Sequence, residues 1–357
     1  MVRIVITIAL LAVSLIGVQA QDDTQAALDA ALRDFNTDDT ALVVQVSTPD
    51  GDWTATSGLA DGERPTEPDD RFRIGSMSKT FVAVTALMLA EEGVFALDDA
   101  ARDWLPDELV EQIANLDSVS IRQLLAMRSG IPDYLGMTFW LAVQQDPTHE
   151  WTVNEALAYI HDQPALFEPD AQFSYSNSNY LLLQLILESA TGQPLHTLVR
   201  ERILDPLEMA NTYTQISETL PGEFVNGYLD IDGDGKLDDV TDINDGAGMG
   251  DGALISTVGD LTTFYRALLQ ERSLLNEESM AELLSFQDAD IEGRYSLGLA
   301  QWESDFGEAL GHNGGVVGFV SAGVYLPEHQ TIIIVLSGNM THLPDELANT
   351  IAEIVLG

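Results

Sequence analysis

The segment from Phe81 to Ala90 is apolar on every side of a helix, and Gly93 follows it as a stop signal. A helix without a polar face has to be enclosed by other elements, so the chain needs a core large enough to surround it. The chain has 357 residues, of which 45% are hydrophobic, and can supply such a core. The sequence therefore predicts a buried central helix inside a large folded protein.

Strand and helix signals divide the chain into an outer and an inner part. Asp22 to Phe35 has the spacing of an amphipathic helix, and residues 119–204 are mostly helical in pattern. Strand signals lie near the two ends, and Pro344 to Leu356 closes the chain as a helix. The strand signals are Leu42 to Ser47, Trp53 to Ser57, Ser296 to Trp302, Gly318 to Leu326 and Thr331 to Leu336.

Strands near both ends with helices between them predict an α+β fold, with an antiparallel sheet flanked by helices. We expect a sheet lobe from residues 21–75 and 245–357 and an inserted helical lobe from residues 76–244. Residues 21–357 would then form one domain.

The charge of the chain excludes several kinds of partner. Its 58 acidic and 15 basic residues give a formal net charge of −43. Such a charge repels nucleic acid and anionic membrane surfaces, so we expect neither as a partner. The chain has no cysteine and therefore no disulfides.

Residues 1–20 have the pattern of a signal peptide. Arg3 supplies a positive start, Ile4 to Val18 is apolar, and Val18 and Ala20 are small residues before a cleavage site at Gln21. The apolar run is shorter than the roughly 20 residues that span a bilayer, which disfavours a retained anchor. The sequence predicts a secreted or periplasmic mature protein without a membrane anchor.

Lys79 is one of two lysines in the chain and follows Ser76 by three residues. Residues at this spacing share one face of a helix. Unlike arginine, lysine can lose its proton in a protein, and a neutral amine beside a hydroxyl can activate serine as a nucleophile. An ordinary capping serine followed by a lysine gives the same pattern, so the pair alone does not decide between them.

Two further motifs carry groups suited to catalysis. Tyr175 and Asn177 lie just before the helical segment from Tyr180 to Ala190 and offer a phenol and an amide. His312 is flanked by Gly311, Gly314 and Gly315, which let a backbone edge approach a ligand closely. Taken singly, the first motif is typical of a helix cap and the second of a turn between strands.

Together and in this order, the three motifs resemble the penicillin-recognising serine hydrolases. That group includes class C β-lactamases, D-alanyl-D-alanine carboxypeptidases, D-aminopeptidases and related esterases. The matching motifs are Ser-x-x-Lys at Ser76 and Lys79, Tyr-x-Asn at Tyr175 and Asn177, and His-x-Gly at His312 and Gly314. Supporting similarity is found at Val119 to Leu125, Ser129 to Pro132, Gly252 to Thr257 and Asp260 to Leu261. The resemblance covers most of the mature chain.

The resemblance implies a β-lactamase/transpeptidase-like fold and an acyl-enzyme on Ser76. It implies that Lys79 and Tyr175 share the proton as general base and acid, and that Asn177 orients Lys79 and the substrate. The N–H groups of Ser76 and Gly315 would form the oxyanion hole. No cofactor is required by this chemistry.

His312 departs from class C β-lactamases, which usually present a lysine there. Histidine is only partly protonated near neutral pH, and when protonated it would hold a substrate carboxylate. We therefore expect a D,D-carboxypeptidase or D-amino-acid peptidase in preference to an efficient β-lactamase, with a carboxylesterase or weak β-lactamase as the alternative. A non-catalytic penicillin-binding protein or a calcium-dependent binding protein remains a hypothesis of another class.

The loop from Asp230 to Asp238 resembles the first half of an EF-hand calcium loop. Its oxygen ligands would come from Asp230, Asp232, Asp234, the carbonyl of Lys236, and Asp238. Thr241 stands where a bidentate acid is expected, and Phe224 to Leu229 before the loop is strand-like. The loop predicts either a calcium site or a solvated acidic hairpin.

Overall fold

The computed structural model describes residues 23–289 and 293–357. The predicted signal peptide, residues 1–20, lies outside the described residues. The helices of the described part are α1 (23–35), α2 (Ser78–Glu91), α3 (Asp107–Gln112), α4 (Ile121–Leu125), α5 (Met137–Gln145), α6 (Val153–Leu157), α7 (Ser178–Thr191), α8 (Leu195–Val199), α9 (Val258–Tyr265), α10 (Glu277–Leu283) and α11 (Pro344–Leu356).

The longest strands belong to the principal sheet. They are β1 (Leu42–Thr48), β2 (Gly51–Ser57), β3 (Phe72–Arg73), β4 (Tyr213–Thr214), β5 (Tyr228–Leu229), β6 (Asp238–Asp239), β7 (Leu254–Ser256), β8 (Gln287–Asp288), β9 (Arg294–Tyr295), β10 (Ala300–Ser304), β11 (Gly307–Val316), β12 (Phe319–Leu326) and β13 (Thr331–Ser337).

The principal sheet joins strands from both ends of the chain. Within the described residues its order is β2-β1-β13-β12-β11-β10-β9-β8, and each pair is antiparallel. Strand β1 lies beside β13, with Val44 opposite Val335. Helices α2 to α8 all lie between β2 and β8 in the chain. The α+β arrangement with an antiparallel sheet flanked by helices is the predicted one, whereas the lobe boundaries stay a prediction.

Both faces of the sheet are covered, which explains the continuous apolar character of its central strands. Val43 and Ile334 belong to the core shared with α2, α7 and α9. Val44 and Val335 belong to a second core under α1 and α11. Because successive side chains point to opposite faces, strands covered on both sides lose the usual alternation of apolar and polar residues.

Helix α2 is the buried central helix that the sequence predicts. Phe81, Ala83, Val84 and Ala86 are completely inaccessible to solvent. The Phe81 ring stacks on Phe264 of α9 at a centroid distance of 3.8 Å. The helix therefore joins the sheet-side core to the helical part of the molecule.

Most predicted elements are present, with three differences near functional motifs. Helix α11 has the predicted bounds, and α7 ends at Gly192, whose φ of 69° is left-handed. Within Phe224 to Leu229, which the sequence predicts as strand-like, only Tyr228–Leu229 forms a strand, β5.

The two remaining differences lie close to the central helix. The predicted strand from Ser296 begins instead at Ala300, because residues 296–299 form a turn. Gly298 adopts φ +72° in that turn, and a Cβ there would lie 2.8 Å from the Cβ of Ala83. The glycine-rich motif around His312 is part of the long strand β11 and not a turn. Among the described residues, no helix combines the length and apolar character needed to cross a bilayer.

Candidate active site

Ser76 and Lys79 lie at the start of the buried helix. Ser76 is part of a 3₁₀ turn, Gly75–Met77, and Lys79 is in the first turn of α2. The predicted pair therefore spans a junction of two helix types, with the serine just outside the α-helix. The Lys79 Nζ lies 3.0 Å from the Ser76 Oγ.

Lys79 is completely buried, and its amine has a full set of partners. Nζ donates to Asn177 Oδ1 and to the backbone oxygen of Asp251, each at 2.7 Å. These two oxygens can only accept, so they use two N–H bonds in either protonation state. The remaining position of Nζ faces Ser76 Oγ. An ammonium donates there, whereas a neutral amine accepts the serine proton through its lone pair.

The orientation of Asn177 follows from its neighbours. Its Nδ2 donates to Asp133 Oδ2 at 2.9 Å, and its Oδ1 accepts from Lys79. A lysine ammonium has no acceptor and a carboxylate has no donor, so only this orientation of the amide satisfies both charged groups. The predicted orienting contact between Asn177 and Lys79 is present.

The Tyr175 hydroxyl is buried and has no hydrogen-bond partner among the described residues. Lys79 Nζ lies 5.2 Å from the centroid of the Tyr175 ring. The predicted sharing of a proton between Tyr175 and Lys79 therefore does not take the form of a direct hydrogen bond here. Tyr175 and Ser76 line the same cavity, and the Tyr175 hydroxyl has no protein partner there among the described residues.

Strand β11 lies against the turn that carries Ser76. Gly75 has φ +52°, and a Cβ there would lie 2.8 Å from the backbone nitrogen of Gly315. A Cβ on Gly314 would lie 2.0 Å from the oxygen of Ile74. A side chain at either position would separate the strand from the turn. A Cβ on Gly315 would meet nothing within 4 Å, so the backbone of Gly315 borders open space.

His312 is buried and neutral, which corrects the expectation of partial protonation near neutral pH. Burial lowers its pKa to about 4, and the charge of Lys79 adds to that effect, while a hydrogen bond to the Asn313 backbone opposes it. Nδ1 lies 2.6 Å from the Asn313 oxygen and therefore carries the proton. Nε2 then accepts from the Tyr295 hydroxyl, 3.1 Å away.

A second carboxyl group lies deep beside Lys79. Asp251 Oδ2 accepts from the hydroxyl of Tyr134 at 2.9 Å, while its Oδ1 is buried without a partner among the described residues. Burial raises the pKa of Asp251 to about 6, although the charge of Lys79 and the bond from Tyr134 act in the opposite direction. At neutral pH this buried carboxylate partly offsets an ammonium on Lys79.

A cavity of about 560 Å³ opens beside the serine. Ser76, Tyr175, Tyr295, His312 and Gly315 line one part of it. None of its lining residues, within the described part of the chain, is lysine or arginine. The cavity is large enough for a small molecule, and Asp345 is the one acidic residue among its described lining residues.

The acidic loop gathers only some of its predicted ligands. Carboxylate oxygens of Asp230, Asp232 and Asp238 lie within 4.8 Å of one another. Asp234 instead accepts from the Lys236 ammonium at 2.8 Å. The loop is closed by strands β5 and β6, which replace the helices of an EF-hand. These three carboxylates offer oxygen ligands, and the calcium site stays a prediction.

Asp133, Tyr134, Asp251 and Tyr295 contribute to the site but were not predicted. Asp133 and Tyr134 directly follow the stretch from Ser129 to Pro132, so that stretch was a usable signal for them. Asp251 precedes another such stretch, at Gly252. Tyr295 has no comparable signal in the sequence, because it reaches His312 only through the pairing of β9, β10 and β11.

The antiparallel sheet, the buried helix and the serine-lysine pair at its start define a serine hydrolase with the fold of β-lactamases and penicillin-binding proteins. The chain belongs to the Beta-lactamase family, whose sequence model matches residues 28–356. The resemblance inferred from the three motifs is confirmed.

Among curated proteins, the chain is similar to penicillin-binding protein 4* of Bacillus subtilis. The two are 29% identical over 295 residues, which make up 77% of this chain and 62% of the relative. The chain thus spans about three fifths of that relative's length.

Two solved structures cover nearly the whole chain. A D-stereospecific amidohydrolase from Streptomyces sp. has a TM-score of 0.81 and 29% identity, with 93% of this chain and 99% of that one covered. The D-amino acid amidase from Ochrobactrum anthropi SV3, complexed with L-phenylalanine amide, has a TM-score of 0.81 and 25% identity, covering 93% and 98%.

The neutral state of His312 predicts a pH-dependent difference in stability between the protein and a His312→Asn variant. The unfolded chain takes up this proton near pH 6.5 and the folded chain only near pH 4, so histidine destabilises the fold as the pH falls between these values. Asp251 titrates in both proteins, so its contribution to the pH dependence cancels in the difference between them. Between pH 7.5 and 4.5, the free energy of unfolding should fall by about 2 to 3 kcal/mol less in the variant than in the unmodified protein. Urea denaturation at each pH measures this free energy. A constant difference would contradict the depressed pKa.

Proposed function

We propose that the protein hydrolyses amides and esters of D-amino acids through an acyl-enzyme on Ser76. The observation that carries this proposal is the geometry of Lys79, whose amine has two positions taken by acceptor oxygens and the third directed at Ser76 Oγ. A neutral amine held in this way can accept only the serine proton. The likeness to a D-stereospecific amidohydrolase supports the substrate class.

In the proposed reaction, Ser76 Oγ attacks the substrate carbonyl carbon and its proton passes to Lys79. The N–H groups of Ser76 and Gly315 stabilise the oxyanion. The C–N or C–O bond then breaks, and Tyr175 relays the proton from Lys79 to the leaving amine or alcohol. Water then attacks the carbonyl carbon of the acyl-enzyme ester. One water proton passes through Tyr175 and Lys79 to Ser76 Oγ as the ester bond breaks, which restores the serine hydroxyl and releases the acid product. Serine hydrolases of this family need no cofactor for such a reaction.

The neutral His312 argues against a substrate that ends in a free carboxylate. Both ring nitrogens are engaged, with the Asn313 oxygen and with Tyr295. The cavity lining in the described part contains neither lysine nor arginine that could supply a positive charge in place of a protonated histidine. A carboxylate here would lose its hydration without gaining a cationic partner, which is unfavourable. We therefore favour amidase or esterase activity over D,D-carboxypeptidase or β-lactamase activity.

Replacement of Ser76 should abolish covalent labelling and turnover. Intact-mass spectrometry after treatment with a fluorophosphonate should show one adduct on Ser76 and none in Ser76→Ala, whose hydrolysis of a reactive ester should fall roughly 10³-fold or more. Ser78→Ala is the matched control, because the Ser78 hydroxyl accepts the backbone N–H of Leu254 instead. Full activity in Ser76→Ala would refute the mechanism.

A substrate panel should separate the candidate activities. D-amino-acid amides and short esters should have a kcat/KM at least about tenfold higher than D-alanyl-D-alanine peptides and nitrocefin, which corresponds to roughly 1.4 kcal/mol. The reason is the missing cation for their carboxylates. If the D-alanyl-D-alanine peptide were turned over fastest, the carboxypeptidase alternative would replace the present proposal. Labelling on Ser76 without turnover of any substrate would favour a penicillin-binding protein without hydrolytic activity.

We also propose that the protein is exported to the periplasm or medium. The proposal rests on the apolar run from Ile4 to Val18 and the small residues before Gln21. Protein recovered from the culture medium or periplasm should have the mass of a chain that starts at Gln21. A chain that keeps residues 1–20 in its native host would contradict it.

The acidic loop supports calcium binding as a minor proposal of structural character. Asp230, Asp232 and Asp238 would be the carboxylate ligands, since these three already lie together. Titration with millimolar calcium in a calorimeter should release or absorb heat in the native protein and not in Asp230→Asn. An absence of heat in both proteins would leave the loop as a solvated hairpin.

A further inference from the structure

The segment from Ser129 to Tyr134 is bonded to the start of helix α7. The oxygen of Pro132 accepts from the hydroxyls of Ser176, at 3.1 Å, and of Ser178, at 2.7 Å. The N–H of Tyr134 donates to Ser178 Oγ at 2.9 Å. The segment thus fixes the residues on either side of Asn177, although none of these contacts involves a group of the proposed chemistry.

Asp133 is the member of this segment that contacts Asn177 itself. Its Oδ2 accepts from Asn177 Nδ2 at 2.9 Å, and its Oδ1 accepts from the Asn177 backbone N–H at 3.1 Å. Oδ1 also accepts from the N–H of Leu135 at 3.2 Å. Both oxygens act only as acceptors, so the Asn177 amide cannot reverse without placing its own oxygen against a carboxylate.

Reversal would also disturb Lys79. If the Asn177 amide were reversed, its NH2 group would face Lys79 Nζ, which is itself the donor of the present hydrogen bond. Nζ would then lose the Asn177 oxygen, one of the two acceptors that direct its remaining position at Ser76 Oγ. The orientation of the amine relative to the serine therefore depends on Asp133, two contacts away.

Asp133 also contributes charge. Burial raises its pKa, while hydrogen bonds from Leu135 and Asn177 and the charge of Lys79 lower it. Asp251 acts on both Lys79 and Asp133, and Tyr134 acts on Asp133 and Asp251. On the other sides of Lys79, the rings of Tyr175 and Tyr180 lie 5.2 and 5.7 Å from Nζ, and the charge of Lys79 acts on buried His312. An ionised Asp133 favours the ammonium form of Lys79 over the free amine.

We propose that Asp133 is a positioning residue for the Ser76–Lys79 pair, acting through Asn177. It holds the Asn177 amide with its oxygen towards Lys79 and places a negative charge beside the amine. This inference rests on the proposed acylation of Ser76. It assigns a role to the residue that follows the stretch from Ser129 to Pro132.

The test measures how fast a fluorophosphonate labels Ser76 between pH 5.5 and 9 in the full protein and in Asp133→Asn. The new amide would direct a donor at a donor, so labelling at pH 8 should slow roughly 10- to 100-fold. Loss of the negative charge should also move the acid limb of the rate profile to lower pH, because the free amine then persists to lower pH. Asp133→Glu keeps the charge but displaces it, so its rate should fall while the acid limb stays in place.

Asp260→Asn is the matched control. Asp260 likewise accepts a backbone N–H, from Asn211 at 2.9 Å, and a side-chain donor, Thr212 Oγ1, at 2.8 Å. Burial raises the pKa of Asp260 as it does that of Asp133. Asp260→Asn should label at the rate of the unmodified protein, with an unchanged acid limb, even if its thermal midpoint falls as far as that of Asp133→Asn.

Several results would overturn the inference. One is an unchanged rate and acid limb in Asp133→Asn, and another is an equal loss of rate in Asp133→Asn and Asp260→Asn. If Asp133→Asn does not fold, an unchanged rate in Asp133→Glu would have the same meaning. These results differ from a failure of the proposed function, in which the unmodified protein itself would not be labelled on Ser76.

Discussion

The structure depends on a lysine that has no contact with solvent. Burying an amino group costs several kcal/mol unless hydrogen bonds replace its hydration. For Lys79 those bonds come from Asn177 and Asp251, which lie 98 and 172 residues further along the chain. The central helix can therefore keep its lysine inside the core only when distant segments have reached their native positions. The stability of the core is thus linked to the contacts that assemble the site.

Close backbone contact is the second constraint, and glycine makes it possible. Strand β11 approaches the Ser76 turn so closely that Gly314 and Gly75 have no room for a side chain on their facing sides. Ser321 Oγ donates to the Ile74 oxygen at 2.8 Å and so ties β12 to the same turn. Ser76, the proposed nucleophile, thus lies on a closely packed junction of sheet and helix, which suits a group that must hold its position during a reaction.

Sequence reasoning predicted the parts of this site whose signal is local. The spacing of Ser76 and Lys79, the cap-like residues before α7 and the bounds of α11 depend on neighbours in the chain. It did not predict the contacts of Asp133 with Asn177 or of Tyr295 with His312, because they join segments that are separate in the sequence. It was wrong about the charge of His312 for the same reason. The type of residue gives the ordinary pKa of histidine, whereas its burial beside Lys79 comes only from the tertiary structure.

The hydrogen bonds of His312 bear on the proposed selectivity of the site. A lysine in that place would be a permanent cation able to hold a carboxylate. Here Nε2 is occupied by Tyr295 and Nδ1 by the backbone, so adding a proton would require the Tyr295 hydroxyl to turn from donor to acceptor while the ring stays buried. Both changes oppose the charged form. In the proposed function, recognition on the His312 side of the cavity would therefore depend on shape and neutral hydrogen bonds, even though the protein as a whole carries a formal charge of −43.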